Sequence, residues 1–92
     1  PIIDSRIEVQ RAIQGIKIAI AELYHLKGEQ ISMGLTQPST QRIAYTMYEP
    51  RGLVFAISAF NHPVNLIIHQ IIPAIAVGCP VIIKPDLRTP LS

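Results

Sequence analysis

Tryptophan is absent from these 92 residues, aromatic side chains make up 5%, and there is one cysteine. From Gly52 to Ile83 there is no Asp, Glu, Lys or Arg. Each scarcity excludes something. A lone Cys79 forms no internal disulfide and matches no metal-ligand spacing, so no metal is expected and a reducing, cytoplasmic setting fits best. A net charge of +2 without a Lys/Arg cluster gives no electrostatic footprint for nucleic acid. The N-terminus lacks the basic-then-apolar order of a secretory signal. The uncharged run is long, but Asn61, His62, Pro63, Asn65, His69, Gln70, Pro73, Gly78 and Pro80 interrupt it, which argues against a membrane span. What is present is apolar: 49% of residues are hydrophobic, enough for one small domain, and the uncharged half needs something to cover it.

Ser5-Arg6-Ile7-Glu8 has the form of a capping box, so a helix is expected to begin there. Val9, Ala12, Ile13, Ile16, Ile20, Leu23 and Tyr24 recur at three- and four-residue spacing and predict its buried stripe, with Gly28 as the stop. Residues 1–28 form this amphipathic helix. Residues 29–49 read as a β-hairpin, with runs Gln30 to Leu35 and Gln41 to Tyr48 around a Pro38-Ser39 turn. Alternation of Ile43, Tyr45 and Met47 predicts one buried face. Residues 50–92 then read as a βαβ unit. Leu53 to Ile57 is a continuous apolar run of the kind covered on both faces in a parallel sheet. Asn61 is placed to cap a helix opened by Pro63, with an apolar stripe from Val64 to Ile75, a late bend at Pro73 and a stop at Gly78. Val81 to Ile83 makes the second strand. The fold class is therefore α/β, with a parallel pair joined by a helical crossover.

Ligands of such sheets bind beyond the carboxyl ends of the strands. Two polar segments lie there, Ser58 to His62 and Lys84 to Thr89. No G-x-G-x-x-G follows either strand, so the common dinucleotide fingerprint is missing. His62 and His69 have no carboxylate or cysteine partner at metal-ligand spacing, and are read as polar surface groups.

Four ordered blocks carry a resemblance: Glu49-Pro50-Arg51-Gly52-Leu53-Val54, Ile57-Ser58-Ala59-Phe60-Asn61-His62-Pro63, Pro73 to Pro85, and Thr89-Pro90-Leu91-Ser92. In order and spacing they are similar to the aldehyde dehydrogenase superfamily. The resemblance implies a piece of the N-terminal half of an NAD(P)-dependent enzyme, within a larger Rossmann-like cofactor-binding domain. It implies oxidation of an aldehyde to a carboxylic acid through a cysteine thiohemiacetal and thioester. The nucleophile and the general base fall outside this chain, so these residues alone are expected to be inactive. Asn61 matches the family asparagine that helps hold the oxyanion. Ile57, Ser58, Ala59 and Phe60 match the nicotinamide-ribose path, and Lys84 the lysine on the adenosine ribose hydroxyls, followed by Pro85, Asp86 and Leu87.

Here the chain departs from the family pattern. Leu87 stands where a ribose-binding Glu is common, which removes a feature favouring NAD; Arg88 is placed to attract a 2′-phosphate and Asp86 opposes it. The cofactor is therefore NAD or NADP. The 29–49 hairpin resembles the family's oligomerisation element, implying a homodimer or homotetramer. The implied partners are the aldehyde substrate and the remainder of the parent chain. Ser-Ala-Phe-Asn-His-Pro and Gly-Cys-Pro look like a branch handling small polar or phosphorylated aldehydes. The competing expectation is a non-catalytic interaction or dimerisation module that uses the apolar βαβ surface.

Overall fold

A computed structural model describes residues 1–92. In chain order it contains helix α1 (Ile2–Glu22), a 3-10 turn (Leu23–His25), strands β1 (Gln30–Ile31), β2 (Ala44–Tyr45) and β3 (Val54–Ile57), helix α2 (Pro63–Ala76) and strand β4 (Val81–Lys84). β1 and β2 pair antiparallel, with Gln30 opposite Tyr45 and Ile31 opposite Ala44. β3 and β4 pair parallel, from Val54 opposite Val81 to Ile57 opposite Lys84. The α/β class, with a helix, an antiparallel pair and a parallel strand–helix–strand unit, is the one expected.

Helix α2 begins at Pro63, whose fixed φ and missing N–H suit a first helical position. It ends in a Schellman motif: Gly78 N–H donates to Ile75 O and Cys79 N–H to Ala74 O, each at 2.9 Å. Gly78 sits at φ +81°, a conformation that a β-carbon disfavours. The chain then turns directly into β4. Ala56 and Ser58 are buried beneath α2, and Cys79 is buried at the turn, as a small core residue.

Four local expectations need correction. First, α1 starts four residues early, at Ile2, with Pro1 and not Ser5 as its cap residue and no side-chain capping bond. Ser5 Oγ lies within the helix and donates weakly to Pro1 O at 3.5 Å. Glu8 is used elsewhere. Second, the least exposed side of α1 is narrower than the predicted stripe and is made mainly of small residues. Ala12 is 4% exposed and Gly15, Ile16 and Ala19 are half-buried, whereas Val9, Ile13, Ile20, Leu23 and Tyr24 stay exposed. A β-carbon on Gly15 would sit 4.0 Å from Ile68 Cγ2, an ordinary van der Waals distance, so Gly15 lies on the side of α1 that faces α2.

Third, the hairpin strands are two residues each, and Ile43, Tyr45 and Met47 are all exposed. Hydrogen bonds of the Thr36–Ser39 turn take the chain out of extended geometry: Ser39 N–H donates to Thr36 O at 2.9 Å, and Ser39 Oγ to the same carbonyl at 2.8 Å. No layer of this chain lies over either face of the hairpin. Fourth, β3 is covered on one side only. Leu53, Phe55 and Ile57 are each more than 60% exposed, on the face away from α2.

The molecule is long: its extents are 67 × 23 × 15 Å and its radius of gyration is 19.5 Å. A compact domain of this length has about 12 Å. Five residues are buried and no large side chain is fully enclosed. No helix is long and apolar enough to cross a membrane.

Candidate active site

Parallel pairing brings the two polar segments side by side. Ser58 N–H donates to Lys84 O at 3.0 Å, closing the ladder at its carboxyl end. Gln70 Nε2, on the third turn of α2, donates to Ile57 O at 2.9 Å, satisfying the last carbonyl of β3. Ser58 is therefore held from both sides, and it is buried. Beyond it the chain passes through exposed Ala59, Phe60, Asn61 and His62 before entering α2.

Asn61 does not cap the helix. The cap residue is His62, at φ −143° and ψ 68°, and it makes no side-chain capping bond. The cap comes from α1. Glu8 Oε1 accepts hydrogen bonds from Val64 N–H at 2.7 Å and Asn65 N–H at 3.1 Å, across sequence separations of 56 and 57 residues. A carboxylate at this position satisfies orphan donors and meets the positive end of the helix dipole, worth about 0.5–2 kcal/mol. The expected Ser5–Glu8 capping box is therefore not formed: Ser5 caps nothing, and Glu8 caps α2 instead of its own helix. Nothing in the local sequence could have found its real target.

The segment after β4 folds against the segment after β3. Arg88 donates from Nε to Asp86 Oδ1 at 2.8 Å and from Nη2 to Asp86 Oδ2 at 3.0 Å, a fork-to-fork pair. Arg88 N–H also donates to Asp86 Oδ1, at 2.9 Å. The guanidinium carbon lies 3.4 Å from the Phe60 ring centroid. Hydrogen bonding to Arg88 lowers the Asp86 carboxyl from 3.8 to about 2, and the same bonding raises Arg88. The pair is solvent-exposed enough that its value is positional rather than a large stabilisation. The Asp-x-Arg spacing after a strand was the available signal for this latch.

Of the expected site residues, Ile57, Ser58, Ala59, Phe60 and Asn61 line one loop, and Lys84, Pro85, Asp86 and Leu87 line its neighbour. Lys84 is level with Ile57, and its Nζ reaches only Pro85 O, at 3.4 Å. Its donors are available to a ligand with hydroxyl groups, so this donor set fits a ribose. Leu87 is 85% exposed and supplies no acceptor. Arg88 is already committed to Asp86 and Phe60. His62 shares a shallow cleft with Asp4, Ile7, Glu8 and Arg11 of α1.

Comparison with known proteins places this geometry. The model of the aldehyde dehydrogenase family matches residues 1–92. The chain is 42% identical to a lactaldehyde dehydrogenase of Methanococcus vannielii over 92 residues, which is 100% of this chain and 18% of the relative. It superposes on aldehyde dehydrogenase 21 from Physcomitrella patens, crystallised with the reaction product succinate. The TM-score there is 0.90 at 40% identity, over 100% of this chain and 19% of that one. A glyceraldehyde-3-phosphate dehydrogenase from Methanocaldococcus jannaschii, complexed with NADP, gives a TM-score of 0.84 at 38% identity, over 99% and 19% of the two chains. The chain thus spans about a fifth of the length of the proteins it matches.

Proposed function

The chain belongs to the aldehyde dehydrogenase family, and from that premise we propose that it supplies the oxyanion donor and one wall of the cofactor site in an NAD(P)-dependent enzyme oxidising a small polar or anionic aldehyde. One observation carries the reading. The Asn61 turn and the Lys84 loop are joined at the carboxyl end of a parallel strand pair, where this architecture binds ligands.

Asn61 stands one residue before the cap of α2, on a turn fixed at both ends. As a neutral amide donor it stabilises negative charge developing on the substrate oxygen, with little reorganisation. The attacking cysteine thiolate and the general base belong to other parts of the full-length protein, as the family resemblance implies. When bound, NAD(P) supplies the two-electron acceptor. Lys84 would donate to its ribose hydroxyls, and Ile57, Ser58, Ala59 and Phe60 would line its nicotinamide side. Pro85, Asp86 and Leu87 would line its adenosine side. Arg88 is engaged by Asp86, and Leu87 supplies no acceptor for a ribose 2′-hydroxyl, so neither position selects between NAD and NADP. The names of the relatives, together with the succinate product and the phosphorylated substrate of the structural neighbours, support the aldehyde class. The exposed 29–49 arm extends toward another subunit, in a homodimer or homotetramer.

The test uses the full-length protein with lactaldehyde, succinic semialdehyde and glyceraldehyde 3-phosphate, following NAD(P)H formation. Asn61→Ala lowers the acylation rate about 100- to 1,000-fold and leaves cofactor affinity within about twofold. A normal rate removes Asn61 from the reaction. Absence of aldehyde-dependent reduction by the wild type with either cofactor favours the interaction-module reading, for which the bare Leu53, Phe55 and Ile57 face is the supporting observation.

A further inference from the structure

We infer that Glu8 is a positioning residue for Asn61, acting across the α1–α2 interface by fixing the point at which α2 begins. The inference rests on the assignment of Asn61 as oxyanion donor. Its structural basis is a complete accounting of donors at the helix start. Pro63 has no N–H, Val64 and Asn65 donate to Glu8, and Leu66 N–H donates to His62 O at 2.9 Å. No side chain of the turn itself contributes a cap. Upstream, Ser58 N–H is on Lys84 O and Ile57 O is on Gln70. Only residues 59 to 63 lie between these anchors, and Asn61 is the middle one.

Loss of Glu8 therefore frees the downstream anchor while leaving the upstream one intact. The dipole of α2 then faces water, and its first turn is free to fray toward Asn61. A reacting group misplaced by about 1 Å costs on the order of 100-fold in rate. Glu8 touches neither substrate nor cofactor in this scheme. Its carboxylate holds two backbone amides, and its effect on the reaction passes through Asn61.

The experiment is a double-mutant cycle in the full-length protein. Glu8→Ala is expected to lower kcat about 10- to 100-fold with KM for NAD(P) within about twofold. Glu8→Gln retains a side-chain acceptor at the same reach and recovers kcat to within about fivefold of wild type, whereas the shorter Glu8→Asp does not. In an Asn61→Ala background, Glu8→Ala costs less than about twofold, because the group it positions is gone. An unchanged kcat in Glu8→Ala, or the same loss with and without Asn61, overturns the inference. Should Glu8→Ala not fold, the Gln and Asp variants carry the same cycle, and a Gln variant no better than Asp overturns it. Amide exchange provides an arm independent of activity. Faster exchange at Val64 and Asn65 in a Glu8 variant sustains the anchor even if the wild type oxidises no aldehyde, which would defeat the enzyme reading alone. Unchanged exchange at both amides defeats the anchor.

Discussion

The βαβ unit from β3 to β4 and the arm from residue 29 to 49 have comparable stretches of apolar sequence, yet they reach different states. In the βαβ unit each strand finds a partner along four residues and a helix over one face, so Ala56, Ser58 and Cys79 are buried. In the arm, pairing covers two residues per strand, and Ile43, Tyr45, Met47 and Tyr48 remain exposed. Apolar alternation sets which side chains share a face, but a face becomes a core only when another layer lies on it. The bare side of β3 makes the same point within the ordered unit. Leu53, Phe55 and Ile57 alternate with Val54 and Ala56, and only the second set meets α2.

The contrast can be tested in the full-length protein by placing similar changes in both regions. Ala56→Leu overfills the space under α2 and is expected to cost about 1–3 kcal/mol in denaturant unfolding. Ala44→Leu in the arm stays within about 0.5 kcal/mol. Equal losses would mean that the arm is as tightly covered as the sheet, which would sharpen its role as an intersubunit element. Gly78→Ala comes next. It places a β-carbon at φ +81° and 3.0 Å from Pro50 Cγ, and is expected to cost about 1 kcal/mol, read as a lower urea midpoint.

Gly28→Ala acts at the root of the arm, where a β-carbon would run into the Thr46 carbonyl. The expected result is local. Exchange of Thr46 N–H, which donates to Glu29 O at 2.8 Å, speeds up more than exchange of the β3 and α2 amides. A global loss instead would show that the arm and the βαβ unit unfold together.

The smallest effect belongs to the Asp86–Arg88 latch. Its carboxyl is depressed in the folded state, so any stability it contributes is fully present above the ordinary value of 3.8 and is lost as pH falls toward about 2. Asp86→Asn is therefore expected to lower stability slightly across the neutral region and to converge with the wild type as pH falls from about 4 toward about 2, which flattens the acid limb of the pH–stability profile. Profiles that coincide at every pH would show that the latch contributes nothing to stability.

Much of this was legible from local pattern. The Pro63 start and Gly78 stop of α2, the apolar β3 and β4 runs, and the two polar loops beyond them follow from period, φ preference and missing donors. Those signals act within a few residues. The errors share one cause. Ser5 and Glu8 match a capping box, and the Ile13 and Ile20 stripe matches a buried helix face, but both readings assume that a helix supplies its own cap and buries its largest side chains. In the folded chain Glu8 caps a helix 56 residues away, and Ala12, Gly15, Ile16 and Ala19 are the least exposed residues of the stripe.

The sequence by itself determined the order of elements, the parallel unit, the family blocks around Asn61 and Lys84, and the need of the uncharged run for cover. Tertiary structure alone decided that the covered side of α1 centres on Ala12, Gly15, Ile16 and Ala19, that Glu8 closes the start of α2, and that Arg88 lies between Asp86 and Phe60. The physical reason is range. Propensity and periodicity are properties of neighbouring residues, whereas a free N–H or an open ring face is satisfied by whichever group the packed helices and strands bring within about 3 Å.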